Sequence, residues 1–236
     1  SAGSSAPESS KSSEAETSTS DSSASEASEP QEIPVRVGSL KGPTSIGLVH
    51  MMEENREYGT YEFTMAAAAD ELLASMVSGK MDIALIPANT ASVLYQKTEG
   101  QISVIDINTL GVLSIISGDS SIASWADLAG KTIYLTGKGT TPDYVLQYLL
   151  EERAALDGFS TKDITLEYKS EAAEIAAVLK ENPNAVGLLP QPFATVAMSQ
   201  NESLKTVFDL TAEWDKLQTE NKSRLVTGVT VVRNEF

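Results

Sequence analysis

Ile83-Ala84-Leu85-Ile86-Pro87 and, 103 positions later, Val186-Gly187-Leu188-Leu189-Pro190 are one pattern written twice. Each is a short apolar run closed by a proline. A run of that length, bounded by a turn residue, reads as a strand buried on both faces. The repetition extends outward at the same spacing. Glu71-Leu72-Leu73-Ala74 matches Glu174-Ile175-Ala176-Ala177, and Ala91-Ser92-Val93 matches Ala194-Thr195-Val196. Each copy reads as helix, turn, buried strand, proline turn, helix.

A second block repeats with a shift of 98. Residues 35–37, 38–45 and 46–54 fall on 133–135, 136–143 and 144–152, so that Met51-Met52-Glu53-Glu54 meets Leu149-Leu150-Glu151-Glu152. Each copy reads as a strand, a Gly/Thr/Pro loop and a helix. One more strand is predicted in each half, at 61–65 and 164–168. The expected fold is therefore α/β, with two Rossmann-like lobes of parallel buried strands and a ligand cleft between them. The chain is expected to cross between lobes at 107–112 and to return at 209–225. Residues 225–233 then form a strand completing the first sheet. The division this predicts is a tether at 1–32, lobe 1 at 33–109 plus 222–236, and lobe 2 with the return crossing at 110–221. Two crossings permit hinge closure. Ligands of parallel sheets bind beyond the carboxyl ends of the strands, so the loops there are the candidate site.

Composition narrows the function. The 236 residues carry a net charge of −16, with one His and no Cys. That charge cannot neutralise a row of phosphates, which argues against a nucleic-acid partner. Without Cys there are no disulfides, thiolate metal sites or cysteine nucleophiles. One His excludes a multi-His metal cluster, and His50 has no evident catalytic partner. No metal or cofactor is expected, and no apolar run approaches a membrane span of ~20 residues. Residues 1–32 hold 13 Ser, seven acidic residues and one Lys. Such a segment reads as disordered, a leftover linker or a tether with a span of about 30 Å.

Four loops and one hinge supply the candidates. In the first, Lys41, Gly42, Thr44 and Ser45 open a helix, whose exposed N–H groups suit an anion or a polar group. Asn89 and Thr90 follow the Pro87 turn and either cap the next helix or donate to a ligand. In the second lobe, Gly139 lets backbone approach a ligand, with Thr140 and Thr141 as donors. The spacing is not that of a nucleotide-binding P-loop. Gln191 lies between two prolines, in a loop that also reads as a rigid turn. Asn108 and Gly111 mark the hinge. Residues 66–69 leave space after the second strand, Trp125 reads as a packing residue, and Trp214 is a candidate for the cleft wall. Few cations and aromatics stand in these loops, which disfavours a strongly anionic or large planar solute.

The pattern resembles a known one. Ser124-Trp125-Ala126-Asp127-Leu128-Ala129-Gly130-Lys131-Thr132-Ile133 looks like the S-x-x-D-L-x-G-K-x-I opening of the second lobe of type II periplasmic binding proteins. Asp82-Ile83-Ala84-Leu85-Ile86-Pro87-Ala88-Asn89 is similar to a strand and turn of that superfamily. Val35-Arg36-Val37-Gly38 with Gly42-Pro43-Thr44-Ser45 matches its first strand and loop. The resemblance covers 34–236 and is nearest the branch carrying sulfonates, nitrate, riboflavin and thiamine-pyrimidine precursors. It implies an extracytoplasmic lipoprotein, its signal peptide removed, that gives a small-molecule solute to an ABC transporter permease. A monomer held to the membrane by an N-terminal lipid anchor is expected. Such proteins usually continue for several more helices, so the first lobe is expected to lack closing helices. A carrier is expected rather than an enzyme. The alternatives are a lyase like those of menaquinone synthesis, which share the fold, and a tethered sensor or adhesion module.

Overall fold

The computed structural model describes residues 33–220 and 222–236. The expected disordered tether, 1–32, lies outside them. Residues Pro34–Phe236 form one unit. In chain order it runs β1 (Val35–Leu40), α1 (Pro43–Ile46), α2 (Val49–Tyr58), β2 (Tyr61–Ala66), α3 (Ala69–Val77), β3 (Ile83–Pro87), α4 (Ala88–Lys97) and β4 (Ile102–Thr109). The second half runs β5 (Leu113–Ser117), a short 3-10 helix (Trp125–Leu128), β6 (Thr132–Leu135), α5 (Thr141–Asp157), β7 (Thr165–Tyr168), α6 (Ala172–Glu181), β8 (Val186–Pro190), α7 (Phe193–Gln200), β9 (Lys205–Asp209) and α8 (Leu210–Leu217). The chain then returns as β10 (Gly228–Arg233).

The strands form two five-stranded sheets, ordered β2-β1-β3-β10-β4 and β7-β6-β8-β5-β9. The repeated apolar runs are β3 and β8, the central strand of each sheet. The fold is thus the predicted two-lobed α/β architecture, with two refinements. Both sheets are mixed: β10 lies antiparallel between β3 and β4, and β5 lies antiparallel between β8 and β9. The first strands also align differently. Val37 pairs with Ile83, and Ile133 pairs with Val186. Residue 37 is thus equivalent to 133, a shift of 96 rather than 98. A slip of two residues keeps every side chain on its own face, so the apolar pattern could not reveal it.

Packing follows the alternation. In the second lobe Ile115 and Leu188 join a cluster with Ile133, Leu135, Leu146 and Leu149. Their neighbours Ile116 and Leu189 point the other way, into a cluster with Ile175 and Leu179. The first sheet is packed by a cluster of Leu72, Met76, Ala84, Ile86, Leu94 and Val231. The motif beginning at Ser124 has a local cause. Ser124 and Asp127 cap each other's backbone around the 3-10 helix, and Trp125 stacks on Phe208 with ring centres 4.5 Å apart. Trp125 is the packing residue that was expected.

Candidate functional site

Each parallel strand of a lobe leads directly into a helix. The helices after β1, β2, β3, β6, β7 and β8 therefore all begin at the same edge of their sheets, and the two edges face each other. Between them lies a cavity of about 520 Å³, within the usual range for small-ligand sites of ~300–1,000 Å³. All six strand-to-helix loops contribute to its wall.

Six of the residues singled out from sequence line this cavity: Lys41, Gly42, Thr44, Thr90, Gly139 and Thr140. Gly42 has φ 147°, a conformation closed to side chains, and it sets the turn that presents Thr44. Thr44 is only 8% exposed, and its hydroxyl finds no hydrogen-bond partner among the described residues. Across the cavity, Gly139 has φ 75° and donates its N–H to the Asp143 carboxylate at 2.8 Å. The Thr140 hydroxyl donates to the Gly137 carbonyl at 2.6 Å, closing the same loop.

The other six have protein partners instead. Ser45 bonds the Ser39 hydroxyl and the Leu40 carbonyl. Asn89 donates to the Gly139 carbonyl at 3.0 Å and accepts from the Thr141 hydroxyl at 3.2 Å, joining the two lobes directly. Asn108 donates to Thr230 and accepts from Thr109, within the first sheet. Gly111 lies so close to Thr211 that a Cβ would collide with it. Gln191 accepts from the backbone and hydroxyl of Thr195, capping α7. These six do not line the cavity, and the polar ones among them hold the turns and lobe contacts that shape it. Trp214 also lies outside it, and His50 stands exposed beside Glu54. Residues 67–69 do line it.

Other lining residues were not singled out. Val93 and Lys97 follow Thr90 at helical spacing along α4, so one face of that helix follows the cavity. With Lys41 and Lys138 this makes three lysines among the lining residues, against Asp70 and Glu171. The loops alone supply Lys41 and Lys138, and Lys97 is added by a helix end rather than a loop. Asp143 was missed as well. This buried carboxylate accepts from Gly139, Gln147 and the Tyr168 hydroxyl, at 2.8, 2.7 and 2.7 Å. It anchors the glycine loop, and its signal was its place directly after Pro142 at the start of a helix. Burial, then this hydrogen bond and charge, push the Tyr168 phenol up to about 12. Lys138 lies 5.2 Å over the Tyr168 ring. Much of the remaining wall is apolar, including Leu73, Val112, Leu113, Leu188 and Phe193.

The two lobe crossings are bonded to each other. Thr227 donates its N–H to the Thr109 carbonyl at 3.0 Å and its hydroxyl to the Leu110 carbonyl, while its own carbonyl accepts from Ala88.

Two α/β lobes on paired crossings, enclosing a small cavity at their strand ends, have the architecture of a periplasmic binding protein. The chain belongs to the family of phosphonate periplasmic substrate-binding proteins of ABC transporters, whose pattern matches residues 47–234. Solved structures share the fold. An ABC transporter protein from Parabacteroides distasonis is 22% identical, with 85% of this chain and 66% of that one covered, at a TM-score of 0.64. The ligand-binding component of an ABC-type import system from Staphylococcus aureus is 16% identical, covering 85% and 66%, at 0.60. The periplasmic aliphatic sulphonate binding protein SsuA from Escherichia coli is 16% identical, covering 86% and 65%, at 0.59. The chain thus spans about two thirds of the length of these three structures. No curated protein sequence matches it.

Proposed function

We propose that this protein is the solute receptor of an ABC importer, and that its solute is a small organic oxyanion of the phosphonate or sulfonate type. The observation that carries this reading is the Thr44 hydroxyl, which is buried, on the cavity wall and without a protein partner among the described residues. A buried donor left unmet costs about 1–3 kcal/mol, so an arriving acceptor gains that much by meeting it. The helix starts around the cavity add N–H groups and positive potential, which suit a tetrahedral oxyanion. Three lysines against two carboxylates favour the same sign. The apolar wall suits an organic substituent, which bare phosphate or nitrate lacks. The family is described by phosphonate, and one structural neighbour by aliphatic sulphonate.

In this reading the protein acts outside the cytoplasmic membrane as a monomer, with residues 1–32 joining it to a lipid anchor. It hands its solute unchanged to the permease. Calorimetric titration with methylphosphonate, phenylphosphonate, ethanesulfonate, phosphate and nitrate tests the reading. An organic phosphonate or sulfonate should bind saturably, more tightly than phosphate, and be recovered intact. Absence of binding by every organic acid, or its conversion, would sink it. Thr44→Val should weaken binding by about 1–3 kcal/mol, roughly five- to 150-fold.

A further inference from the structure

A second concavity, of about 410 Å³, lies beyond the Asn89 and Thr141 contact and outside the interlobe cavity. One wall is the exposed face of α5, where Tyr144 and Tyr148 stand one turn apart. Packed against Tyr148 is Trp214 of α8, their ring centres 5.1 Å apart at 48°. The indole N–H of Trp214 is already engaged with the Ser223 carbonyl at 3.2 Å. That N–H is therefore not free to bond a molecule in the groove. Buried Val145 and Leu225 form an apolar floor.

Among the described residues one charged residue lines the groove, the exposed Arg224, and it makes no ion pair among them. Among the described residues no carboxylate lines the groove, in a chain of net charge −16. Aromatic walls recognise flat rings by stacking, and a guanidinium recognises a carboxylate through paired N–H groups. We propose that this groove is a second binding site, and that it takes a flat aromatic acid: one ring, or a fused pair, bearing a single carboxylate.

The site is placed to influence the first one. Its walls come from the first lobe at Ala88 and Asn89, from the second at α5 and α8, and from the return crossing at Leu225 and Val226. Asn89 and Thr141, which bond the lobes together, are part of its lining. An acid seated here touches the groups that must stay together when the lobes are closed. It therefore favours closure and tightens solute binding, and the solute tightens binding of the acid by the same factor. This coupling rests on the carrier reading; the site itself does not.

Calorimetry and saturation-transfer NMR on the whole chain test the proposal with indole-3-acetate and benzoate as probes, and indole and benzyl alcohol as their uncharged counterparts. The acids should bind saturably, at least tenfold more tightly than the neutral molecules. Arg224→Gln and Tyr148→Ala should each weaken them tenfold or more, and Tyr148→Phe, which keeps the ring, should not. Thr44→Val, in the other cavity, should leave acid binding unchanged. Equal binding of acids and neutral molecules, or indifference to Arg224→Gln and Tyr148→Ala, overturns the proposal. Loss of acid binding in Thr44→Val also overturns it, because the acids would then be occupying the interlobe cavity. Failure of phosphonates and sulfonates to bind leaves these outcomes readable and removes only the coupling.

Discussion

Helix α5 buries Val145, Leu146, Leu149 and Leu150, whereas α2, its counterpart after the first strand of the other lobe, buries no residue at all. The pattern behind the difference is local. In α5 the apolar residues recur at 145, 146, 149 and 150, a stripe along one helical face. In α2 they fall at 49, 51, 52 and 58, which makes no continuous stripe over its ten residues. The sheets differ in the same sense: core clusters lie on both faces of the second, and a single cluster packs the first. Duplicated sequence thus repeats strand order without repeating how tightly the helices are held. Among the described residues α5 is held by buried side chains, and α2 is not.

The largest effect expected from this contrast is at Leu146. Replacing it by Ala should lower the unfolding free energy by about 2–5 kcal/mol, as for other fully buried leucines. Denaturant titration reads this directly, and a loss below 1 kcal/mol would break the comparison.

Next comes Asp82, a polar tie between three strands of the first lobe. Its carboxylate accepts from Arg36 at 2.7 and 3.0 Å and from Arg233 at 2.7 Å, clamping β1, β3 and β10. Asp82→Asn should cost about 3 kcal/mol near neutral pH, at the low end for a broken buried pair because Arg36 is partly exposed. The hydrogen bond from Arg36 holds the Asp82 carboxyl well below the usual range, against the opposing effect of burial. In the second lobe, hydrogen bonds from Lys131 and Ser121 lower Asp119 to about 2. With folded values depressed, both contributions are complete above the unfolded carboxylate value of ~3.9 and fade as the pH falls through the folded ones. Acid titration of Asp82→Asn should show a shallower loss of stability below pH ~4 than the parent.

A smaller effect is expected where the lobes meet. Asn89→Ala removes the bonds to Gly139 and Thr141, each contributing about 0.5–1.5 kcal/mol. The ligand-free protein should become more open in small-angle scattering and lose no more unfolding free energy than these two bonds contribute. Unchanged dimensions would mean that this contact does not hold the lobes together. Least of all, Met52→Ala in α2 should change stability by no more than ~0.5 kcal/mol. A large loss there would show that α2 is held after all.

Short apolar runs ending in proline made β3 and β8 legible, because few other structures tolerate such a run. The antiparallel direction of β5 and β10 was not legible, since a buried strand looks the same read either way. At the candidate site, Thr44 was visible as part of a glycine turn before a helix. Lys97 was hidden because the wall it joins is made by a helical face rather than a loop. Asn89, Thr141 and Gln191 have the right chemistry for ligand contact. Their hydrogen bonds go to residues distant in the chain or one helical turn away, which only the folded arrangement reveals.

The insertion of β10 between β3 and β4 has a consequence for the timetable of synthesis. The second sheet draws all its strands from residues 113–209, so it can assemble once that stretch has left the ribosome. The first sheet, though begun earlier, stays split until residues 228–233 arrive to join its halves. Translation from the amino end therefore completes the later-coded lobe first, and β4 waits through more than a hundred residues for its neighbour.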